Sequence, residues 1–317
     1  MTMHQSNDLS APAPTFAQLD GDRILGVNGA DATRFLQGQL TCDLTTLQPG
    51  GNTLGARCSP KGRMQSSFRL LKLSDESYLL AIPAGLLAAQ QQDLAKYAAF
   101  FKVQLEDLSD QWLRLGLWGD DAQAALTALG LEQQAMNPDR GLVVSLDDSI
   151  FELWLPRDQG STALSTLTEH ATPASLNDWQ LQLIRLGIGQ VQEQTRESFI
   201  PQMLNLQQLG GVSFQKGCYT GQEIVARMQY LGKLKRRMYR LLWAGKELPP
   251  PGTSIQNSSG QAVGEVVMAA HSQQQIELLA VLQTDAAESP DLTVHNTDEP
   301  PLTLASLPYE QQMAAEQ

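Results

Sequence analysis

Hydrophobic and polar positions along the chain follow two successive rounds of strand and helix patterns. In the first round, a strand pattern at 22–27 precedes a helix pattern at 32–40, in which Phe35, Leu36 and Leu40 share one face. The other patterns of this round are strands within 52–82, interrupted by turns at 59–62 and 74–77, and a helix at 86–101. The second round has strands at 113–118, 141–144 and 151–155 and helices at 121–129 and 160–169. Two such rounds predict an α+β fold with two ferredoxin-like units.

The last part of the chain has a different pattern. After a helix pattern at 179–186 and a polar connection that ends at Pro201, short strands appear at 237–243, 262–269 and 276–282. Runs of proline, glycine, asparagine and serine separate these strands, which is typical of a small β-barrel. We therefore predict a disordered tail at residues 1–15, the two ferredoxin-like units within 16–230, and a C-terminal β-barrel at 231–310.

The composition of the chain excludes several classes of protein. The chain has 317 residues, of which 42% are hydrophobic, so it can form a large core. We find neither an export signal nor an apolar run long enough to span a membrane, which favours the cytoplasm. Three cysteines, Cys42, Cys58 and Cys218, stand far apart, so a disulfide framework or a zinc ribbon is not expected. One copy of this chain has too few cysteines for a four-thiolate iron-sulfur cluster, and such chemistry would require a partner.

The net charge of -12 argues against a general nucleic-acid-binding protein, but basic residues are concentrated in one segment. Eight of the 22 basic residues lie between positions 216 and 246: Lys216, Arg227, Lys233, Lys235, Arg236, Arg237, Arg240 and Lys246. Two interpretations stay open. The cluster binds a folate glutamate tail, an acidic partner or tRNA phosphates, or it is a solvated loop and edge strand without a ligand.

Residues 209–227 contain the strongest candidates for reactive side chains. Thr220 and Glu223 have the spacing of a capping box, which predicts a helix that begins at Gly221. Cys218 then lies just before the helix, where the helix dipole and the neighbouring Lys216 would favour a thiolate. The sequence therefore suggests a nucleophilic or metal-binding cysteine. The alternative is a small residue that simply fits a tight turn.

The segment from Lys216 to Glu223 matches the sequence motif of the YgfZ family, so the chain resembles that family. Its cysteine and lysine map onto Cys218 and Lys216, and Gly217, Tyr219, Gly221, Gln222 and Glu223 complete the motif. Further matches occur at 29–31, 35–39, 199–202, 205–206 and 209–211. The resemblance implies a fold like that of the glycine-cleavage T-protein, with two intertwined ferredoxin-like units and a C-terminal β-barrel in a ring around a folate-sized opening.

The resemblance also implies a function. The family is described as binding folate and as needed for tRNA modification, especially methylthiolation by iron-sulfur enzymes, and its eukaryotic relatives act in iron-sulfur protein maturation. We therefore expect tetrahydrofolate or a derivative as cofactor, and iron-sulfur enzymes or assembly proteins as partners, while direct contact with tRNA stays open. Of two folate-associated tryptophans, one maps onto Trp179, which otherwise is an ordinary packing residue, and the other position holds Asp22, a departure from the family.

Comparison with T-protein bears on catalysis. The acidic pair that follows a Lys-Gly turn in T-protein is replaced here by Ser66 and Ser67, and another acidic position holds Arg185. A hydroxyl cannot replace a carboxylate as a base near neutral pH. We therefore expect no independent aminomethyltransferase activity. The rival interpretations are a folate-dependent aminomethyltransferase and a folate-independent interaction scaffold. Cys218 is expected either to share iron or a cluster with a partner's ligands or to form a mixed disulfide.

Overall fold

A computed structural model describes residues 14–133, 136–295, 297 and 299–310. Its helices are α1 (Ala32–Gln37), α2 (Leu87–Ala98), α3 (Ala122–Ala128), α4 (Gly160–His170), α5 (Leu176–Arg185) and α6 (Gln222–Tyr230). Its strands are β1 (Thr15–Gln18), β2 (Asp22–Asn28), β3 (Asn52–Cys58), β4 (Met64–Ser74), β5 (Ser77–Pro83), β6 (Gln104–Asp107), β7 (Trp112–Trp118), β8 (Met136–Asn137), β9 (Gly141–Asp147), β10 (Ile150–Pro156), β11 (Thr172–Pro173), β12 (Arg236–Trp243), β13 (Ser254–Gln256), β14 (Ala262–His271), β15 (Ile276–Gln283), β16 (Thr293–Val294) and β17 (Thr303–Ala305).

The α+β class predicted from the sequence is confirmed. Each helix predicted from periodicity is present, but α1 ends at Gln37, three residues before the predicted Leu40. After Gln37 the chain turns, and Leu40 forms an isolated antiparallel β-bridge with Arg57. The predicted tail at 1–15 lies outside the described residues except for residues 14 and 15, and Thr15 already begins β1.

One compact unit contains residues up to Asp20 together with Asp110–Leu176. Its sheet has the strand order β11-β1-β7-β10-β9-β8, so β1 joins strands that come much later in the chain. Alternate residues of β7 and β10, among them Leu115 and Phe151, pack with Leu126 of α3 and Leu167 of α4 in a buried core. This apolar core packs α3 and α4 against the sheet.

The second compact unit contains Gly21–Ser109 and the chain from Asn177 onward. Its first sheet has the order β3-β4-β5-β2-β6, and all pairings are antiparallel. The hairpin turns predicted at 59–62 and 74–77 are confirmed, since β3 and β4 flank the first and β4 and β5 flank the second. The first hairpin turn positions the candidate site, because it packs against the start of α6.

The C-terminal strands of the same unit form one antiparallel sheet with the order β16-β13-β14-β15-β12-β17. A core that includes Leu241, Ile255, Val266 and Leu278 lies against it. The N–H of Leu302 donates to the carbonyl of Leu292, and so links the segments that lead to the two outer strands. No helix in the described residues is long and apolar enough to cross a membrane.

Candidate functional site

The motif loop, residues 211–221, is fastened to the segment that follows α1. The N–H of Ser213 donates to the carbonyl of Thr41 (2.9 Å), and the N–H of Thr220 donates to that of Gly38 (3.2 Å). The hydroxyl of Thr41 donates to the carbonyl of Gly211 (2.6 Å) and accepts the N–H of Ala56 (2.9 Å). The loop is therefore held by backbone and side-chain bonds from a distant part of the chain. Sequence analysis did not identify Thr41, because its only signal was its place next to the matched segment 35–39.

Lys216 lies inside this junction. Its Nζ donates to the carbonyl oxygens of Leu40 (2.8 Å) and Cys42 (2.7 Å) and lies 5.3 Å from the centre of the Tyr219 ring. Lys216 as a whole is only 8% exposed. Burial lowers the pKa of Lys216 to about 8, and the charge of Asp43 opposes part of this effect. The ammonium is thus engaged by two carbonyl groups, a role that its sequence position beside Cys218 did not suggest.

Helix α6 begins one residue later than a capping box would require. The N-cap is Gly221, with φ of 86°, and no side chain caps the first turn, so the predicted capping by Thr220 and Glu223 is wrong. The geometry explains why. A Cβ on Gly221 would stand 2.5 Å from the carbonyl oxygen of Ser59, so the β3–β4 turn approaches the chain too closely for any other residue at the cap. The turn, rather than a side-chain oxygen, fixes where the helix starts.

Cys218 is exposed, whereas Cys42 and Cys58 are buried. Burial raises the pKa of both Cys42 and Cys58 to about 12, which keeps these thiols protonated near neutral pH. Cys218 instead lines a cavity of about 820 Å³ next to α1 and the β4–β5 turn, together with Gly217 and side chains of both charges. Of the three cysteines, Cys218 is therefore the one that a reagent or a partner can reach.

The other motif residues occupy different environments. Tyr219 is buried, its pKa is raised by burial, and its hydroxyl has no hydrogen-bond partner in the described structure. Gly217 is exposed, and a Cβ placed on it would meet no atom within 4 Å. Gln222 is partly exposed and Glu223 is exposed, both in the first turn of α6. Tyr219 and Gly221 thus shape the loop, while Gly217, Gln222 and Glu223 face outward with Cys218.

The two positions assigned to folate lie in the same compact unit. Trp179 is in α5 and only 3% exposed. Asp22 is the first residue of β2, is partly buried, and pairs with Pro83 of β5. A pterin that stacks on Trp179 would have to enter the protein interior, since so little of the indole reaches the surface.

The positions compared with T-protein carry no carboxylate in this structure. Ser66 is buried and its hydroxyl has no partner among the described residues, while the Ser67 hydroxyl accepts the N–H of Val191 (2.8 Å). Arg185 donates to Glu277 (2.7 Å), which also accepts from Arg240 (2.6 Å). Burial raises the pKa of Glu277, but these two guanidinium groups outweigh that effect and lower it overall. Glu277 is therefore an ionised partner of two arginines and is not poised as a base.

The basic residues of 216–246 divide into two groups. Lys216 is buried, Arg240 pairs with Glu277, and Lys246 lies 3.4 Å from Glu299. The rest, Arg227, Lys233, Lys235, Arg236 and Arg237, lie on α6, on the connection after it and at the start of β12. Strand β12 pairs with β15 along its length and with β17 from Arg240 to Leu242, so it is an inner strand there. In the described residues no group of three or more histidines, cysteines or acids is placed to hold a metal ion.

Comparisons with known proteins identify relatives of similar sequence and a solved structure of similar fold. Residues 23–140 match the GCVT N-terminal domain family. The chain is 32% identical over 312 residues to a tRNA-modifying protein YgfZ of Photobacterium profundum, covering 94% of this chain and 92% of the relative. A protein of the same name from Aliivibrio fischeri is 34% identical over 261 residues, with 82% and 81% covered. The glycine-cleavage aminomethyltransferase T of Bartonella henselae has a similar fold, with a TM-score of 0.68 at 16% identity, over 94% of this chain and 87% of that one.

Proposed function

Because the chain belongs to the YgfZ family, we propose that it is a cytoplasmic folate-binding protein that supports tRNA modification, with Cys218 as its functional thiol. Relatives that share about a third of their residues with this chain over most of its length are named tRNA-modifying proteins. The iron-sulfur enzymes that methylthiolate tRNA, or the proteins that assemble their clusters, are the partners that fit an exposed cysteine.

The position of Cys218 is the observation that carries the proposal. It is the exposed cysteine of the chain, and its loop is held by the Thr41, Thr220 and Lys216 contacts. A fixed, accessible thiol can ligate iron whose other ligands come from a partner, or it can exchange with a partner disulfide to form a mixed disulfide and release a thiol. Both reactions need contact with another protein, because the other two cysteines are buried.

Folate binding is supported by the match to the GCVT N-terminal domain family and by the T-protein-like fold. The same likeness supports the finer architecture of two ferredoxin-like units and a C-terminal barrel around a folate-sized opening. In our proposal Trp179 stacks on the pterin of tetrahydrofolate or a derivative, and position 22 lies beside the ligand without a second aromatic ring. Trp179 is only 3% exposed, so the proposal requires a pterin that is enclosed rather than bound on the surface.

We propose that the chain binds folate but does not transfer an aminomethyl group to it. At the positions where T-protein has acids, Ser67 is committed to the Val191 N–H and Arg185 to Glu277. Proton transfer to or from a substrate amine requires a group whose pKa suits the task and which is within hydrogen-bond reach. The serines and the arginine do not meet that requirement, so the folate is a bound cofactor rather than an acceptor of a transferred group.

Complementation tests the thiol directly. Cells that lack their own copy of the protein would receive the native chain, Cys218→Ala, or Gln215→Ala, an exposed residue of the same loop that serves as matched control. We expect Cys218→Ala to abolish the support of tRNA methylthiolation at equal protein level, and Gln215→Ala to retain it. Full restoration of methylthiolation by Cys218→Ala would refute the proposed role of the thiol.

A further inference from the structure

A second cavity, of about 500 Å³, adjoins the C-terminal end of α6, and its lining is mainly polar. Side-chain amides of the 201–208 segment and of α6 line it: Gln202, Asn205, Gln207, Gln208 and Gln229. Lys233 and Arg237 supply positive charge. Its volume falls within the range of sites that hold a small organic group.

Several polar atoms of the lining residues lack partners. The Nε2 of Gln202 donates to the carbonyl of Val225 (2.7 Å), which fixes the amide plane. The Oε1 atoms of Gln202 and Gln207 and the Nε of Arg237 have no hydrogen-bond partner in the described part of the chain, although all three are buried. Unpaired buried acceptors and donors are costly, so the protein alone does not satisfy the polar groups of these lining residues.

The surface beside the cavity has a composition suited to nucleic acid. At the end of α6, Tyr230 is 67% exposed and Leu231 is 84% exposed. Lys233, Lys235 and Arg236 follow directly and are exposed, and in the described residues no carboxylate lies within ion-pair distance of them. An exposed aromatic ring next to cations without an ion-pair partner is the combination that binds single-stranded nucleic acid, through base stacking and phosphate contacts.

We propose that the cavity and residues 230–237 bind single-stranded RNA directly. One base enters the cavity, where its edge hydrogen-bonds to side-chain amides of the lining, Gln207 among them. The flanking phosphates contact Lys233 and Arg237, and Tyr230 stacks on a neighbouring base. The inference rests on the proposed function in tRNA modification and names RNA as a direct partner. The Tyr230 ring already makes a T-shaped contact with Phe214, with the ring centroids 6.0 Å apart, but it is 67% exposed and so has surface left for a base. The carboxylates of an acidic peptide would match the charges but would not stack on that ring.

The test is fluorescence anisotropy of a labelled RNA hairpin with a single-stranded loop, titrated with the purified full chain at low and at physiological salt. We expect micromolar binding that weakens with salt. Tyr230→Ala should weaken binding about 5-fold or more through lost stacking. Lys233→Gln should weaken binding and reduce the dependence of log affinity on log salt by about 1. Gln207→Ala should also weaken binding of the hairpin. Lys246→Gln removes the same charge as Lys233→Gln, but from an exposed side chain that does not line the cavity, and should leave binding unchanged.

Several results would overturn the inference. These are no binding at low salt, equal competition by fully duplex RNA, or an equal loss of affinity in Lys246→Gln. Binding of an acidic peptide or of polyglutamated folate that depends on Lys233, without RNA binding, would assign the cavity to that ligand instead. Thermal unfolding of each variant checks its folding. Failure here is separable from failure of the proposed function, because the Cys218 complementation does not depend on this cavity.

Discussion

Replacement of Lys216 by methionine separates a structural role of its ammonium from an electrostatic effect on Cys218. Methionine keeps the apolar stem and removes the charge. In the native chain the ammonium donates to the carbonyls of Leu40 and Cys42 at 2.8 and 2.7 Å. We expect Lys216→Met to loosen the junction between the 38–43 segment and the motif loop, and so to lower both stability and the support of tRNA modification.

The magnitude follows from two opposing contributions. Hydrogen bonds from a charged donor contribute about 1.5–3 kcal/mol each. Burial opposes them, since it lowers the pKa of Lys216 from 10.5 to about 8, and each tenfold change in a proton equilibrium corresponds to about 1.4 kcal/mol. Loss of the two hydrogen bonds is therefore partly offset by relief of the buried charge. We expect Lys216→Met to lower the free energy of unfolding by no more than about 2.5 kcal/mol at neutral pH.

The pH dependence gives a second, independent readout. Because the folded pKa of Lys216 is lowered, the folded chain loses this proton near pH 8, while the unfolded chain keeps it until about pH 10.5. Between these values the unfolded state binds more protons, so stability contributed by Lys216 rises with pH, by up to about 1.4 kcal/mol per pH unit. Cys42 and Cys58 have raised pKa values and act in the opposite direction in both proteins. The Lys216 charge lowers the pKa of Cys42, so its removal raises that pKa further, which acts in the same sense as the expected difference. The native chain should therefore gain stability relative to Lys216→Met as the pH rises.

The assay is denaturant unfolding of the native chain, Lys216→Met and Lys216→Arg, with Lys233→Met as an exposed-lysine control. Lys216→Arg should also be destabilised, because a guanidinium group overfills a site built for an ammonium. An effect of charge alone on Cys218 predicts instead that arginine preserves both stability and thiol reactivity. The reasoning would be refuted if Lys216→Met and the native chain had the same free energy of unfolding at every pH tested.

Three further predictions follow from the site. In the native protein a thiol reagent should modify Cys218 quickly and reach Cys42 and Cys58 only after unfolding, so a native stoichiometry above one thiol per chain would contradict the burial argument. Gly221→Ala should lower the free energy of unfolding by more than about 1 kcal/mol, because alanine is strained at φ 86° and its Cβ would meet the Ser59 carbonyl, whereas Gly217→Ala should be neutral in the same thermal unfolding experiment. Trp179→Phe should weaken tetrahydrofolate binding measured by calorimetry, and unchanged affinity would place the pterin elsewhere.

Features of the fold that depend on residues close together in the sequence were predictable from it. The two hairpin turns and the approximate limits of α2, α4 and α5 follow from periodicity and turn residues, and the structure has them. Strand β6 was missed because its residues, Gln104–Asp107, are mostly polar and exposed and are a strand only through pairing with β2. The cap of α6 was mispredicted, because the close approach of the Ser59 carbonyl, and not the Thr220 side chain, decides it.

In the candidate site, too, local features were predictable from the sequence and tertiary contacts were not. The exposure of Cys218 agrees with its position in a glycine-containing loop ahead of a helix. The partners of Lys216 could not be inferred, since Leu40 and Cys42 lie more than 170 positions earlier in the sequence and meet it only through the tertiary fold. The cavity beside Tyr230 likewise combines the 201–208 segment, α6 and the end of β15. Such convergence of distant segments has no local pattern from which it could be predicted.

One titration tests the central claim that the chain binds folate without consuming it. Tetrahydrofolate would be titrated into the purified chain in a calorimeter, and the same samples, supplied with an aminomethyl donor, would be assayed for ammonia. We predict saturable binding in the micromolar to sub-millimolar range, equivalent to about 5–8 kcal/mol, with no folate-dependent ammonia release. Absence of binding at millimolar folate, or sustained ammonia release that depends on tetrahydrofolate, would contradict the account.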